Sequence, residues 1–248
     1  MRILSATFSL IALFFISVSC SAEKDTENGS VYRVTKLDQS MVIDGNWEKT
    51  QWQGIEALNI TNYMGAVPGF HPEVKAKIMY DNDNVYVIFQ VKDKYVRCVT
   101  NKYNGPVFRD ACVEFFFAPD SSAHESYFNL ETNCGGTALM EYHRVPKIET
   151  KSIPVEDIKT IEMAHSLPEF IDPEMTDPVT WTLEYRIPLT LLEKHASITR
   201  PAKGVVWRAN LYKIAENNSN PHYITWSVVK NDKPNFHLPQ FFGKLLFE

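Results

Sequence analysis

Two glutamates in neighbouring extended segments are the first candidates for chemistry. Glu114 lies in residues 111–117 and Glu131 in residues 127–132, both stretches of strand composition. A glycosidase needs a carboxylic acid and a carboxylate about 5–10 Å apart across a glycosidic bond. Asp110 and Glu114 would share a strand face, yet at ordinary strand rise they stand about 13 Å apart, too far for that reaction. A cross-strand Glu114–Glu131 pair meets the requirement if the two strands are neighbours, although strand carboxylates mostly face water or accept hydrogen bonds. Asp81, Asp83 and Asp93 supply oxygen ligands of the kind that hold a structural Ca2+, while strand-end aspartates more often close turns. The seven histidines fall in no HxH or HExxH arrangement, and neither GxSxG, a Walker A loop nor GxGxxG occurs. Nucleophilic, nucleotide and transition-metal chemistry therefore has no sequence support.

Aromatic residues in polar, turn-like surroundings point elsewhere. Phe108 sits in Asn104-Gly105-Pro106-Val107-Phe108-Arg109-Asp110, and Phe236 in Asn231-Asp232-Lys233-Pro234-Asn235-Phe236-His237. An apolar ring flanked by Arg109, Asn235 and His237 suits a sugar: the C–H face of a pyranose stacks on the ring and the polar groups bond its hydroxyls. No cofactor is implied beyond that candidate Ca2+.

The elements that must position these residues are strands. Val74, Ala76, Ile78 and Tyr80 alternate with polar residues, and Val85, Val87, Phe89 and Val91 repeat the pattern after Asp81-Asn82-Asp83-Asn84. Period-two alternation around an Asx-rich turn predicts a β-hairpin. Further strands are predicted at 111–117, 127–132, 137–143, around 158–163, 180–187, 205–213, 223–228 and 244–247. Residues 111–117 are nearly all apolar, so both faces should be covered. Trp181, Trp207, Phe89 and Phe115 read as packing. Short helices are predicted at 46–52 and 189–195. Strands without a βαβ rhythm predict an all-β, two-sheet sandwich of jelly-roll or immunoglobulin-like type, and residues 146–178, rich in proline, should make a long surface excursion.

Before that domain, Arg2, the apolar run 10–16 and the small residues before Cys20 make a signal peptide over residues 1–20. The run is too short to span a bilayer, and the pattern is similar to a bacterial lipobox with Ser17 in place of the usual Leu. Cys20 is then the lipidated first residue of an exported, envelope-anchored chain. Residues 21–30 are polar and serve as a flexible tether, leaving 31–248 as one domain. With a formal charge of −5 and no basic stripe, nucleic acid is excluded as a partner, and membrane contact is through the lipid alone. Cys98, Cys112 and Cys134 remain, which permits one disulfide, or three small buried apolar side chains.

Several blocks in order resemble the family 9 carbohydrate-binding modules and related DOMON-like sandwiches. They are Ile43-Asp44-Gly45-Asn46-Trp47 with Trp52; Lys77-Ile78-Met79-Tyr80-Asp81 with Val85-Tyr86-Val87; Asp110-Ala111-Cys112-Val113-Glu114-Phe115-Phe116; Trp181-Thr182-Leu183-Glu184-Tyr185-Arg186-Ile187-Pro188; Trp207-Arg208-Ala209-Asn210-Leu211-Tyr212; and Phe236-His237-Leu238-Pro239 with Phe242-Gly243. The resemblance implies a β-sandwich that binds sugars without cleaving them. Where the best-described type clamps a terminal sugar between two tryptophans, this chain has Phe108 and Phe236, and Phe128 stands where an arginine bonds hydroxyls. The implied function is non-catalytic binding of an oligo- or polysaccharide through Phe108, Arg109, Asn235, Phe236 and His237, with Asp110, Glu114, Glu184 and Asn210 as candidate structural residues. Two alternatives remain: hydrolysis of O-glycosyl bonds by Glu114 and Glu131, and haem-based electron transfer, as in some DOMON-like domains, with ligands among Met79, Met140 and His143.

Overall fold

The computed structural model describes residues 30–120 and 125–248. Cys20, the signal segment and all of the expected tether except Ser30 lie outside the described residues.

The chain runs through β1 (Val31–Lys36), β2 (Leu58–Ile60), β3 (Asn62–Tyr63), β4 (Glu73–Tyr80), β5 (Asn84–Asp93), β6 (Val96–Cys98), β7 (Cys112–Ala118) and β8 (Tyr127–Asn133). It continues through β9 (Ala138–Val145), β10 (Glu149–Ser152), α1 (Val155–Ile158), β11 (Glu162–His165), β12 (Ile171–Met175) and β13 (Val179–Pro188). Last come α2 (Leu189–His195), β14 (Val206–Ala215), β15 (His222–Thr225) and β16 (Gly243–Phe247).

The sheet is one curled path whose two halves pack face to face, and β1 is the hinge between them. Its residues Val31–Val34 pair in parallel with Lys244–Phe247 of β16, and Thr35 and Lys36 pair with Met79 and Tyr80 of β4. One half runs β10-β9-β8-β7-β14-β16-β1, with β15 and β3 added beside β14; the other runs β1-β4-β5-β13-β11, with β2 on β4. β6 and β12 form a separate ribbon. The interior between the halves takes Phe115, Phe117, Phe128, Leu130, Trp207 and Leu211 from one side and Val87, Phe89, Val91, Trp181, Leu183 and Tyr185 from the other. These are the alternate positions that period-two patterning puts on one face, so the expected all-β sandwich is what forms.

Each half also buries its outer face. On the second half, Met41, Ile43, Trp52, Met79, Tyr86 and Ile88 form a separate apolar layer beneath the segment that follows β1. Glu184 of β13 holds that segment down. Its Oε2 accepts from Asp44 N at 3.0 Å and Gly45 N at 2.8 Å and pairs with Lys49 Nζ at 2.8 Å, while its Oε1 accepts from Trp52 Nε1 at 2.8 Å. Gly45 has a φ of +73°, a conformation that admits glycine without strain. The Ile43-Asp44-Gly45…Trp52 block and Glu184 thus belong to one structural device.

Several expectations are corrected. The strand foreseen around 158–163 begins only at Glu162; Ile158 ends the one-turn helix α1, and Ile158 and Ile161, three apart, are both buried as helical and turn spacing allows. The helix foreseen at 46–52 is a 3₁₀ turn over Thr50–Trp52. The aspartates considered for Ca2+ do not converge: Asp81 closes the β4–β5 turn by accepting from Asp83 N, Asn84 N and the Tyr86 hydroxyl, whereas Asp93, at the far end of β5, is ion-paired with buried Lys213 at 3.1 Å. The haem candidates are also dispersed, with Met140 in the interior, Met79 in the outer layer under residues 41–52 and His143 on the opposite outer face. Cys98, Cys112 and Cys134 are all buried free thiols.

Removing one partner from a buried ion pair costs more than the pair contributes, because a charge is left unpaired. Glu184→Ala leaves the buried Gly45 N–H and Trp52 Nε1–H without an acceptor and Lys49 with only Asp44 and the Val42 carbonyl, so it should lower unfolding stability by about 3 kcal/mol. Chemical denaturation reads this directly; a midpoint unchanged from the parent protein would contradict the anchoring role.

Candidate functional site

On the first half of the sandwich the outward-facing residues of β7, β8, β9 and β14 make the floor of a cleft of about 390 Å³. Antiparallel register decides which residues meet there. Glu114 lies directly opposite Glu131 on one side and Tyr212 on the other, and Glu131 lies opposite Leu139. Glu141 and Ile214 complete the floor, and Phe108, Lys147, Glu216, Tyr223 and the segment Pro234–His237 form the walls.

Phe108 is placed by a short 3₁₀ turn, Val107–Arg109, that precedes β7. Asp110 closes that turn and is itself pinned, since its Oδ2 accepts from Thr100 N at 2.8 Å and Asn133 Nδ2 at 2.9 Å. The Arg109 carbonyl accepts from Glu216 N and Asn217 N, tying the turn to the end of β14. Asp110 is therefore an anchor and does not share a strand face with Glu114. Asn210 is structural in the same sense, with Nδ2 donating to the Ser227 carbonyl and Oδ1 accepting from Ser227 N.

The second wall is fixed by side chains from four strands and a turn. Phe236 stacks on Tyr212 with ring centroids 4.1 Å apart, and its carbonyl accepts from the Tyr212 hydroxyl at 3.1 Å. The Asn235 Oδ1 accepts from Lys147 Nζ at 2.9 Å. His237 Nδ1 shares a 2.7 Å hydrogen bond with the Tyr127 hydroxyl, and its ring leans on Phe116 and His143. Burial, with help from nearby Lys147 and His143, lowers the His237 pKa to about 3, so this imidazole is neutral at ordinary pH.

Phe108, Asn235, Phe236 and His237, all candidates in the sequence, line one cleft. Arg109 does not line it; its guanidinium lies 6.0 Å from the Phe108 ring on an exposed side chain. Phe236 is only 6% exposed, with one face covered by Tyr212, so it is a wall more than an open platform. Half-buried Phe108 and Tyr223 carry the accessible aromatic surface. Sequence reasoning missed Tyr223, Lys147, Glu141 and Glu216. Tyr223 reaches the cleft only because β15 docks antiparallel on β14, a long-range pairing with no local signal.

The floor is chemically unusual. Glu114 is 2% exposed and Glu131 5%. Asn129 Nδ2 donates to Glu131 Oε1 at 2.9 Å, but Oε2 of each glutamate has no hydrogen-bond partner among the described residues. Directly opposed residues carry their Cβ atoms about 4.5–5.5 Å apart, so the two carboxyls repel when both are ionised. Burial first, then the charge of Glu131, pushes Glu114 well above the usual carboxylate range. Burial likewise raises Glu131 to about 7. A larger depression of about 650 Å³ borders β1 and β2, but no residue lining it has a buried, unpartnered polar atom. An apolar cleft with a few convergent polar groups and perturbed ionisation is the ordinary form of a small-molecule site.

A curled β-sandwich carrying an aromatic cleft on its outer face is an arrangement that suits carbohydrate binding. The chain belongs to carbohydrate-binding family 9, whose model matches residues 38–247. Its fold is similar to that of a protein from Bacteroides uniformis ATCC 8492 provisionally described as carbohydrate-binding, with 28% identity, a TM-score of 0.80, and coverage of 89% of this chain and 100% of that one. A family 9 module from Caldicellulosiruptor kristjanssonii in complex with cellotriose is similar at 16% identity and a TM-score of 0.61, covering 88% of this chain and 94% of the module. In sequence, the chain is 22% identical over 191 residues to a protein of Arthroderma benhamiae (strain ATCC MYA-4681 / CBS 112371) named "Extracellular protein", covering 71% of this chain and 79% of that relative.

Linkage gives the floor a measurable signature. The folded protein holds a proton on Glu131 that the unfolded chain releases between its ordinary pKa of 4.5 and about 7. This carboxyl therefore lowers stability progressively as pH rises through that window. In Glu131→Gln that part of the decline should vanish, and the variant should gain up to about 3 kcal/mol on the parent protein between the two ends. Identical pH dependence of stability in the two proteins would rule out the buried, elevated carboxyl.

Proposed function

We propose that the protein is a non-catalytic glycan-binding module that captures a sugar in the Phe108–Phe236 cleft, at a membrane surface to which Cys20 anchors it after export. The observation that carries the reading is the cleft's two-sided chemistry. Phe108 and Tyr223 offer ring faces for the apolar side of a pyranose, and Phe236 backs them. Glu114 and Glu131 offer acceptor oxygens with no protein donor, which is what sugar hydroxyls supply. Asn235 and His237 add polar contacts at the rim. Membership of a binding family and the likeness to a family 9 module in complex with cellotriose support this assignment.

The cross-strand pairing of Glu114 and Glu131 is the one observation that favours hydrolysis. A glycosidase, however, separates its carboxyls into one ionised group and one acid. Here burial raises both, and neither projects from the floor. Binding without turnover is the better account.

Export and anchoring rest on Arg2, the apolar run and Cys20. The name "Extracellular protein" of one relative agrees with export, and no helix among the described residues is long and apolar enough to cross a membrane. Labelled fatty acid should be incorporated into the parent protein in cells and not into Cys20→Ala; equal labelling of both would remove the anchor.

Isothermal calorimetry against plant and host glycans should find a ligand of micromolar to millimolar affinity, about −8 to −4 kcal/mol. Phe108→Ala should weaken it about tenfold. Phe170→Ala, at an exposed ring outside the cleft, should change nothing. Binding to no glycan, equal affinity in Phe108→Ala, or release of reducing sugar that disappears in Glu114→Gln would each overturn the proposal.

A further inference from the structure

Charge within the cleft is lopsided. Four glutamates line it, Glu114, Glu131, Glu141 and Glu216, against one lysine, Lys147. That lysine already donates to Asn235 at 2.9 Å. Lys213, the other cation close enough to act on the floor, is buried and paired with Asp93 at 3.1 Å. His237 is neutral, and the Tyr223 hydroxyl donates to Glu216 at 3.1 Å. Glu141 has His143 Nε2 at 3.3 Å. None of these contacts reaches Oε2 of Glu114 or of Glu131, both of which remain buried and unpartnered among the described residues.

A buried carboxylate oxygen without a donor is costly to leave unmatched, and a buried anion more so. Burial raises both groups above the usual carboxylate range, which favours their protonated forms and limits that cost. A ligand ammonium group could do the same work, because a hydrogen bond with both partners ionised is roughly twice as strong as a neutral one. A ligand carboxylate would meet the opposite situation, adding an anion to a cleft whose titratable lining is mostly acidic.

We propose that the cleft sorts sugars by charge, taking a hexosamine with a free amino group ahead of a neutral hexose and rejecting a uronic acid. This rests on the glycan-binding assignment above and names the ligand class of that site. Acetylation of the amine removes the cation while keeping the substituent, so an N-acetylated hexosamine falls with the neutral sugars or below them.

Four β-1,4-linked disaccharides test it, built from glucosamine, glucose, N-acetylglucosamine and glucuronic acid, with affinities measured by calorimetry at low and high salt. The glucosamine disaccharide should bind at least about tenfold more tightly than the glucose one at low salt, and the advantage should shrink as salt screens it. Glucuronate should give no heat of binding. Binding of the amino sugar should also release protons from the floor, seen as a dependence of the heat on buffer ionisation enthalpy that exceeds that of the N-acetylated sugar. Glu141→Gln/Glu216→Gln, changed at the less buried positions so that folding is spared, should narrow the amino-to-neutral ratio several-fold, whatever happens to neutral affinity. Equal affinity for the four, or preference for glucuronate, would overturn charge sorting and leave glycan binding standing. Failure of all four to bind would overturn it as well, and the wider glycan panel would then decide whether the glycan assignment falls with it.

Discussion

Strand β7 is buried on both faces, and much of the molecule is arranged around that constraint. Its residues alternate between the sandwich interior, taking Phe115 and Phe117, and an outer layer, taking Cys112, Glu114 and Phe116. A strand covered on both sides needs material to cover it. Inside, that material is the second half of the sheet. Outside, it is the Phe108 turn and the segment from Pro234 to Phe242, which bring Phe236, Phe242 and their neighbours down onto Phe116, Tyr127 and Tyr212. The cleft is the part of this outer layer that the covering segments leave open, so the site is a consequence of how an over-buried strand is roofed.

The roof is held by polar groups at its anchor points. Asp110 fixes the Phe108 turn, Tyr212 and Lys147 fix the Phe236 loop, and Asn210 fixes the turn after β15. Glu184 does the same on the opposite outer face. Apart from exposed Lys147, each of these is a buried side chain that satisfies donors or acceptors of an irregular segment, as buried polar groups must be satisfied. Glu114 and Glu131 anchor no irregular segment. They are as buried as the anchors, and each keeps an oxygen without a partner among the described residues at the floor of the cleft. Asp110, Asn129 and Thr132 also keep a buried oxygen without a partner among the described residues, but only Glu114 and Glu131 bring theirs to the lining of the cleft, where a ligand could supply the missing bond.

Much of this was legible in the sequence, where local spacing determined the outcome. The β4–β5 hairpin announces itself by alternation on both sides of an Asx turn, and an unbroken apolar run marks β7 as covered on both faces. Phe108 and Phe236 stood out because aromatics in Asn-, Pro- and Gly-rich surroundings are unusual. Other features depend on distant pairing and left no trace. β1 is recognisable as the bridge between the halves only once β16 and β4 flank it. The burial of Phe236 follows from Tyr212, 24 residues away, and Tyr223 joins the cleft through the docking of β15. The strand expected near Ile158 was a misread period, since Ile158 and Ile161 fit a turn of helix as well as they fit an extended segment. The direct opposition of Glu114 and Glu131 required a register that composition cannot supply.

The central claim is that the cleft over Glu114 and Glu131 is where a glycan binds. Mapping amide and aromatic-ring NMR shifts during titration with a bound glycan tests this most directly. Binding in the cleft predicts the largest changes at Phe108, Glu114, Glu131, Tyr223 and Phe236, with upfield ring-current shifts of sugar protons. Saturable changes confined to another surface, such as the depression beside β1 and β2, with the cleft unmoved, would contradict it.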